Sequence, residues 1–169
     1  ISTLSNDGRG VIFDFIASKW IKLTQPTPPT TVYNITEFDR SRNAVWVWKT
    51  GLRSKFSGSR GLSKLDIVSG KWTSYNRFKE SIKSHATGAI DPIRDLLVVT
   101  EFQYNGKNPR VLVRDLAYPD EPYVIINTSG DTEIEDAMHA KLGFEWVPSL
   151  KKFVAWSSGS SLYYLTLPN

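Results

Sequence analysis

The chain contains no cysteine, a single methionine and only two histidines, His85 and His139. Without thiols there is neither a disulfide framework nor a thiolate metal site, and the redox character of the compartment stays open. No apolar run approaches the roughly 20 residues needed for a bilayer-crossing helix. No secretory leader pattern is visible at Ile1 to Gly10. Basic residues exceed acidic ones by only 21 to 17, and they are scattered, which does not specify nucleic acid. Glycine-rich phosphate loops, nucleophile elbows and HExxH pairs are missing as well, and no carboxylates stand at metal-ligand spacing from the histidines.

What the chain does have is aromatic residues, 12% of the total, and a strict alternation of side chains. Rings of this kind pack well on pleated strands. Val45, Val47 and Lys49 point one way while Trp46 and Trp48 point the other, so both faces are apolar, as in a strand stacked between neighbouring sheets. A unit of about 50 residues recurs. Three stretches align: Thr36 to Trp48, Gly88 to Thr100 and Phe144 to Trp156, each a strand, a tight polar turn and a second apolar strand. A second series runs through Val11 to Phe15, Ser63 to Ile67, Val111 to Leu116 and Leu162 to Leu167. Such a period in an all-β chain predicts the four-stranded blades of a β-propeller.

The predicted organisation is a half-blade at 1–24, a blade at 31–76, a blade at 85–127 and an incomplete blade at 141–169. Within a blade the strands are called a to d. Propellers have four to eight blades, and about three and a half repeats fit here, so the sequence predicts part of a ring. Further blades from another chain, or from the rest of a longer polypeptide, are the expected partners. Ser69-Gly70-Lys71-Trp72 reads as a tight hairpin, and Ala17-Ser18-Lys19-Trp20 repeats it without the glycine. The cluster Pro26-Thr27-Pro28-Pro29 reads as an extended crossover, and residues Thr132 to Lys141 hint at a helical turn.

The run Gly61-Leu62-Ser63-Lys64-Leu65-Asp66-Ile67-Val68-Ser69-Gly70-Lys71-Trp72 resembles a segment of kelch-like propellers, including the galactose-oxidase-like group. The stretch from Gly143 to Trp156 resembles the a–b hairpin of the same repeats. The resemblance covers nearly the whole chain and implies fold, not activity. Lys49-Thr50-Gly51 and Ser157-Ser158-Gly159 stand where kelch repeats carry a Gly-Gly doublet, and the copper-ligating cysteine of galactose oxidase has no counterpart. No cofactor and no metal are expected.

In a propeller the b–c and d–a connections share one face, and scaffolded loops carry function. The first b–c loop places Arg53, Lys55 and Arg60 around Phe56, and guanidinium forks suit carboxylate, sulfate or phosphate. Glu101 ends one strand b, with Tyr104 and Lys107 in the loop that follows, and could hydrogen-bond a sugar. Trp48 and Trp156 end the equivalent strands; stacking on a sugar ring is one reading, and burial between blades is the favoured one. His85 and His139 both precede a strand a, which places them at the channel rim, where imidazoles could act as base and orienter. Some polysaccharide lyases on seven-bladed propellers are similar in this respect. The favoured expectation is a non-catalytic module that recognises a glycan or protein ligand through its loop-rich face. The alternatives are a polysaccharide lyase or glycoside hydrolase using His85 and His139, and a structural subunit of a surface or virion tail assembly. An extracellular or virion-surface setting is narrowly favoured.

Overall fold

Each sheet forms from strands that follow one another in the chain and turn back on themselves, so local alternation and turn chemistry dictate the pairing. The computed structural model describes residues 9–14, 16–26, 34–49, 61–75, 86–101, 110–128, 143–156 and 162–168. Strands β1 (Arg9–Asp14) and β2 (Lys19–Pro26) pair as a two-stranded sheet. Strands β3 (Asn34–Asp39), β4 (Ala44–Lys49), β5 (Gly61–Asp66) and β6 (Trp72–Ser74) form a four-stranded antiparallel meander. A second meander holds β7 (Thr87–Asp91), β8 (Leu96–Glu101), β9 (Arg110–Asp115) and β10 (Val124–Asn127). A third sheet has three strands, β11 (Gly143–Val147), β12 (Lys152–Trp156) and β13 (Leu162–Leu165).

The inner strands β3, β7 and β11 each lie at the edge of their own sheet, and β7 sits beside both of the others. Sheets that meet at their first strands and stack face to face are propeller blades, so the all-β, partial-propeller expectation holds. One detail differs from the sequence reading. Strand β2 continues through Pro26, which pairs opposite Arg9; a proline is tolerated there because β2 is an edge of its two-stranded sheet, with no ladder donor required on the open side. The predicted helical turn at 132–141 lies outside the described residues.

Register gives the stacking a direction. In the first meander Ile35, Glu37, Trp46, Trp48, Leu62 and Lys64 share one face, because directly opposed residues point the same way. We call this the forward face. Its apolar members Ile35, Trp46, Trp48 and Leu62 pack on Leu97, Val99, Leu112 and Leu116 from the rear face of the second meander. The second meander repeats the move: Ala89, Val98 and Val111 on its forward face meet Phe144, Trp146 and Phe153 on the rear of the third sheet. The approach is tight at the hub, where a Cβ on Gly88 would come within 2.6 Å of Ile35 Cγ2. Arg114 joins the first of these interfaces. It is 1% exposed, donates from Nη1 to the carbonyls of Pro119 and Glu121, and lies 4.9 Å from the Trp48 ring. Burial pushes its guanidinium down to about 10, and the carbonyl bonds and the flanking Trp48 and Tyr123 rings compensate the charge.

The a–b turns carry the repeat in their backbone. Asn43, Asp95 and Lys151 stand immediately before strand b and take φ values of 48°, 59° and 49°. Asn and Asp tolerate this left-handed conformation, whereas a lysine gains nothing from it. Replacing Lys151 with Gly is therefore expected to stabilise the protein by roughly 1 kcal/mol, read from urea unfolding curves. In the c–d hairpin Gly70 supplies the same conformation with φ 67°, and Asp66 Oδ1 accepts from the Ser69 backbone and hydroxyl. The glycine-free copy uses Ser18 at φ 48°.

Candidate functional site

Of the charged and aromatic residues singled out in the sequence, Trp48, Glu101 and Trp156 stand on strands β4, β8 and β12. Arg53, Lys55, Arg60, Tyr104, Lys107, His85 and His139 lie outside the described residues, and of Glu101 only the backbone, the last position of β8, is described. Trp48 is buried at 2% exposure between two sheets, the favoured reading for it. Trp156 is 40% exposed on the forward face of the third sheet, with its ring over Gly143. It occupies the equivalent position, but among the described residues no sheet covers that face.

A site that the sequence reading missed lies at the hub. A cleft of about 340 Å3 opens at the turn ends of the three inner strands, lined by Glu37 and Phe38 of β3, Ala89 and Ile90 of β7, and Glu145 and Trp146 of β11. Its rim holds Asp39, Arg40 and Ser41 with Pro92 and Pro148 from the neighbouring turns. Glu37, Ala89 and Glu145 occupy the same place in their strands, two residues before the positions that begin each a–b turn. The small middle residue leaves the space, and the outer two put carboxyls around it.

The rim is held rigidly. Asp39 is 3% exposed, and its Oδ1 accepts from the Ser41 backbone at 2.9 Å and the Ser41 hydroxyl at 2.6 Å. Its Oδ2 accepts from Arg42 Nη1 at 2.8 Å and from Trp46 Nε1 at 3.2 Å. Burial alone would push this carboxyl up, but the bonds from Ser41, Arg42 and Trp46 outweigh it and hold it down at about 2. The Arg42 fork then reaches across to Asp95 in the second meander, so one guanidinium clasps two blades. Arg94 repeats the local half of the device, donating from Nε to Asp91 Oδ2 at 2.7 Å. Its Nη1 meets the Pro168 carbonyl at 3.4 Å, because Lys151 stands where the first junction has Asp95.

Glu37 behaves differently from Asp39, since no hydrogen bond or ion pair reaches it among the described residues. Burial, and then the charge of Glu145, push its carboxyl up to about 8. A raised folded value means that the folded protein keeps a proton that the unfolded chain has already released. Stability from this group is present below 4.5 and is lost as pH rises towards about 8. Glu37→Gln is expected to be indistinguishable from the parent below pH 4.5. It should become more stable above pH 8 by on the order of 2 kcal/mol, discounted for partial solvent access. Thermal unfolding across pH checks this; parallel curves for parent and variant would exclude a shifted carboxyl. Chemically, the cleft offers a carboxyl at Glu37 that keeps its proton, with the Glu145 side chain near it and an apolar wall beside them. That arrangement suits hydrogen bonding or charge compensation. Among the described residues no group of three or more His, Asp or Glu side chains gathers that could hold a metal.

No protein-family model matches the chain. No curated protein matches it either. Among solved structures it is similar to a crystal structure of Porphyromonas gingivalis dipeptidyl peptidase 4, with 11% identity and a TM-score of 0.45. That alignment covers 97% of this chain and 30% of the other, so the chain spans under a third of that protein's length.

Proposed function

We propose that these blades belong to a propeller binding module of the kelch-like sort, non-catalytic, which recognises a glycan or protein ligand through its loop-rich face. One observation carries the reading: the tight turns all gather at one end of the sheets. The a–b and c–d turns touch, with Ile67 N bonded to Asn43 O and Leu116 N to Asp95 O. The strand ends that lead into residues 50–60, 102–109 and 157–161 therefore point to the opposite side, and the longer, chemically richer connections leave from there. Arg53, Lys55, Arg60, Tyr104 and Lys107 are the contact residues on this reading. The kelch-like part of the reading draws on the likeness of Leu65-Asp66 and Ser69-Gly70-Lys71-Trp72 to the corresponding segment of that repeat.

The test is binding to a glycan panel by the parent and by an Arg53→Ala/Lys55→Ala/Arg60→Ala variant. Selective binding that the variant loses supports the loop face; binding that survives the triple change removes it. Turnover of a bound glycan that disappears in His85→Ala/His139→Ala would instead favour the lyase or hydrolase alternative. The assembly alternative has its own support in Trp156, Leu162 and Tyr164, which are 40%, 58% and 58% exposed on the forward face of the third sheet. In both meanders the same face is covered by the next sheet, so a further blade is the partner this surface suits.

A further inference from the structure

We propose that the hub cleft is a second binding site, which takes a small hydroxyl-bearing organic ammonium ion between Glu37 and Glu145. The site goes beyond the loop-face reading and lies at the opposite end of the sheets from it.

Three polar groups around this one cavity have no partner among the described residues. Glu37 and Glu145 make no hydrogen bond or ion pair there. Trp146, 8% exposed, lines the same cleft, and its indole Nε1 donates to nothing. Glu145 is exposed and Glu37 half-buried, whereas the Trp146 indole is buried, and a buried donor is rarely left unmet in a folded protein. An unmet donor on the wall of a cleft that also holds two carboxyls marks a place where another molecule completes the set. Trp46 in the first junction shows the contrast, giving its N–H to Asp39, while Trp72 Nε1 is unmet as Trp146 Nε1 is.

The chemistry of the walls selects the ligand. A hard divalent cation wants six or more oxygens, and the cleft offers the carboxyls of Glu37 and Glu145, with the third, Asp39, committed to Arg42 and Trp46. A neutral polyol would leave Glu37 holding its proton and would bring no charge compensation to the pair. An ammonium donates three hydrogen bonds, compensates Glu145, and lets Glu37 release its proton, so binding is coupled to proton release. A short carbon stem fits against Phe38, half exposed, and the prolines of the rim. A hydroxyl on that stem supplies an acceptor of the kind the Trp146 N–H lacks. The charged groups around Glu37 are Glu145 from β11, Asp39 and Arg40 at the end of its own strand, and Lys64 on the same face two strands out. Asp39 is committed to Arg42 and Trp46, and Lys64 lies 5.5 Å from the Trp46 ring, so Glu145 is the acid left to act on it.

Calorimetric titration of the whole chain with 5-amino-1-pentanol at pH 7 tests the site, run in phosphate and in MOPS so that proton release shows as a buffer-dependent heat. Binding is expected with proton release, and 1,5-pentanediol should bind on the order of tenfold more weakly or not at all. Glu145→Gln, at an exposed position, should weaken binding several-fold. Glu37→Gln/Glu145→Gln should abolish it and the proton release while leaving the circular dichroism spectrum unchanged. No binding at millimolar ligand, equal binding of the diol, or an unaltered affinity in the double variant would each overturn the assignment. None of these outcomes touches residues 50–60, so glycan-panel binding by the same samples reports separately on the loop face.

Discussion

Phe153→Ala is expected to destabilise the protein by about 4 kcal/mol, the largest effect of any single truncation at the blade junctions. The ring is 0% exposed and sits on the rear face of the third sheet. It stacks on Phe144 with centroids 5.3 Å apart and planes 3° from parallel, and meets Trp146 edge-on at 4.9 Å. Removing it takes away one partner of both contacts and opens a void against Ala89, Val98 and Val111 of the preceding blade. Strands cannot slide together to fill that space without breaking register. Phe153→Leu keeps most of the volume and is expected to lose under about 1.5 kcal/mol. Urea unfolding followed by tryptophan fluorescence measures both; near-equal losses would mean that the interface is loosely packed.

Asp39→Ala is expected to follow closely, with a loss of about 3 kcal/mol. The carboxylate gathers the turn backbone, the Ser41 hydroxyl, Arg42 and the Trp46 indole around one buried point. Its deletion leaves an indole N–H and part of a guanidinium unmet beneath the surface. Asp39→Asn retains the shape and half of the acceptors, and Arg42 keeps Asp95, so a smaller loss of about 1–2 kcal/mol is expected. The acid dependence adds a signature. The folded value near 2 lies below the ordinary 3.8, so the stabilisation is fully present above 3.8 and disappears as pH falls through about 2. Parent and Asp39→Asn should therefore converge in strong acid. A constant gap between them would assign the effect to packing alone.

The strands and their grouping were readable because both are local. Alternation around Trp46 and Trp48, and a polar turn between two apolar runs, define a hairpin without knowledge of the rest of the chain. The turn at Asp39 to Asn43 announces its left-handed residue by composition; the equivalent turn does not at Lys151, where strand pairing on either side imposes the conformation on an unsuited residue. Trp48 and Trp156 show the limit from another side. They occupy the same position in their strands, yet only Trp48 is covered, and the difference lies in the neighbouring sheet rather than in either residue's surroundings in sequence. The hub carboxyls were hidden for the same reason. Glu37 and Glu145 read as polar interruptions of inner strands, and only the convergence of β3, β7 and β11 places them around one space. A signal was nevertheless present: both stand in one column of the repeat, with alanine between them.

The two junctions divide bulk in opposite ways, and that has a bearing on how the repeats can be rearranged. At the first, two indoles project forward onto leucine and valine; at the second, alanine and valine receive two phenyl rings and an indole. Joining the first forward surface to the third rear surface would drive tryptophan into phenylalanine, and swapping in the second would leave a hollow opposite leucine. The repeats form a keyed series, so deleting or transposing one unit would break the stack even though every unit kept its own hydrogen-bonded ladder intact.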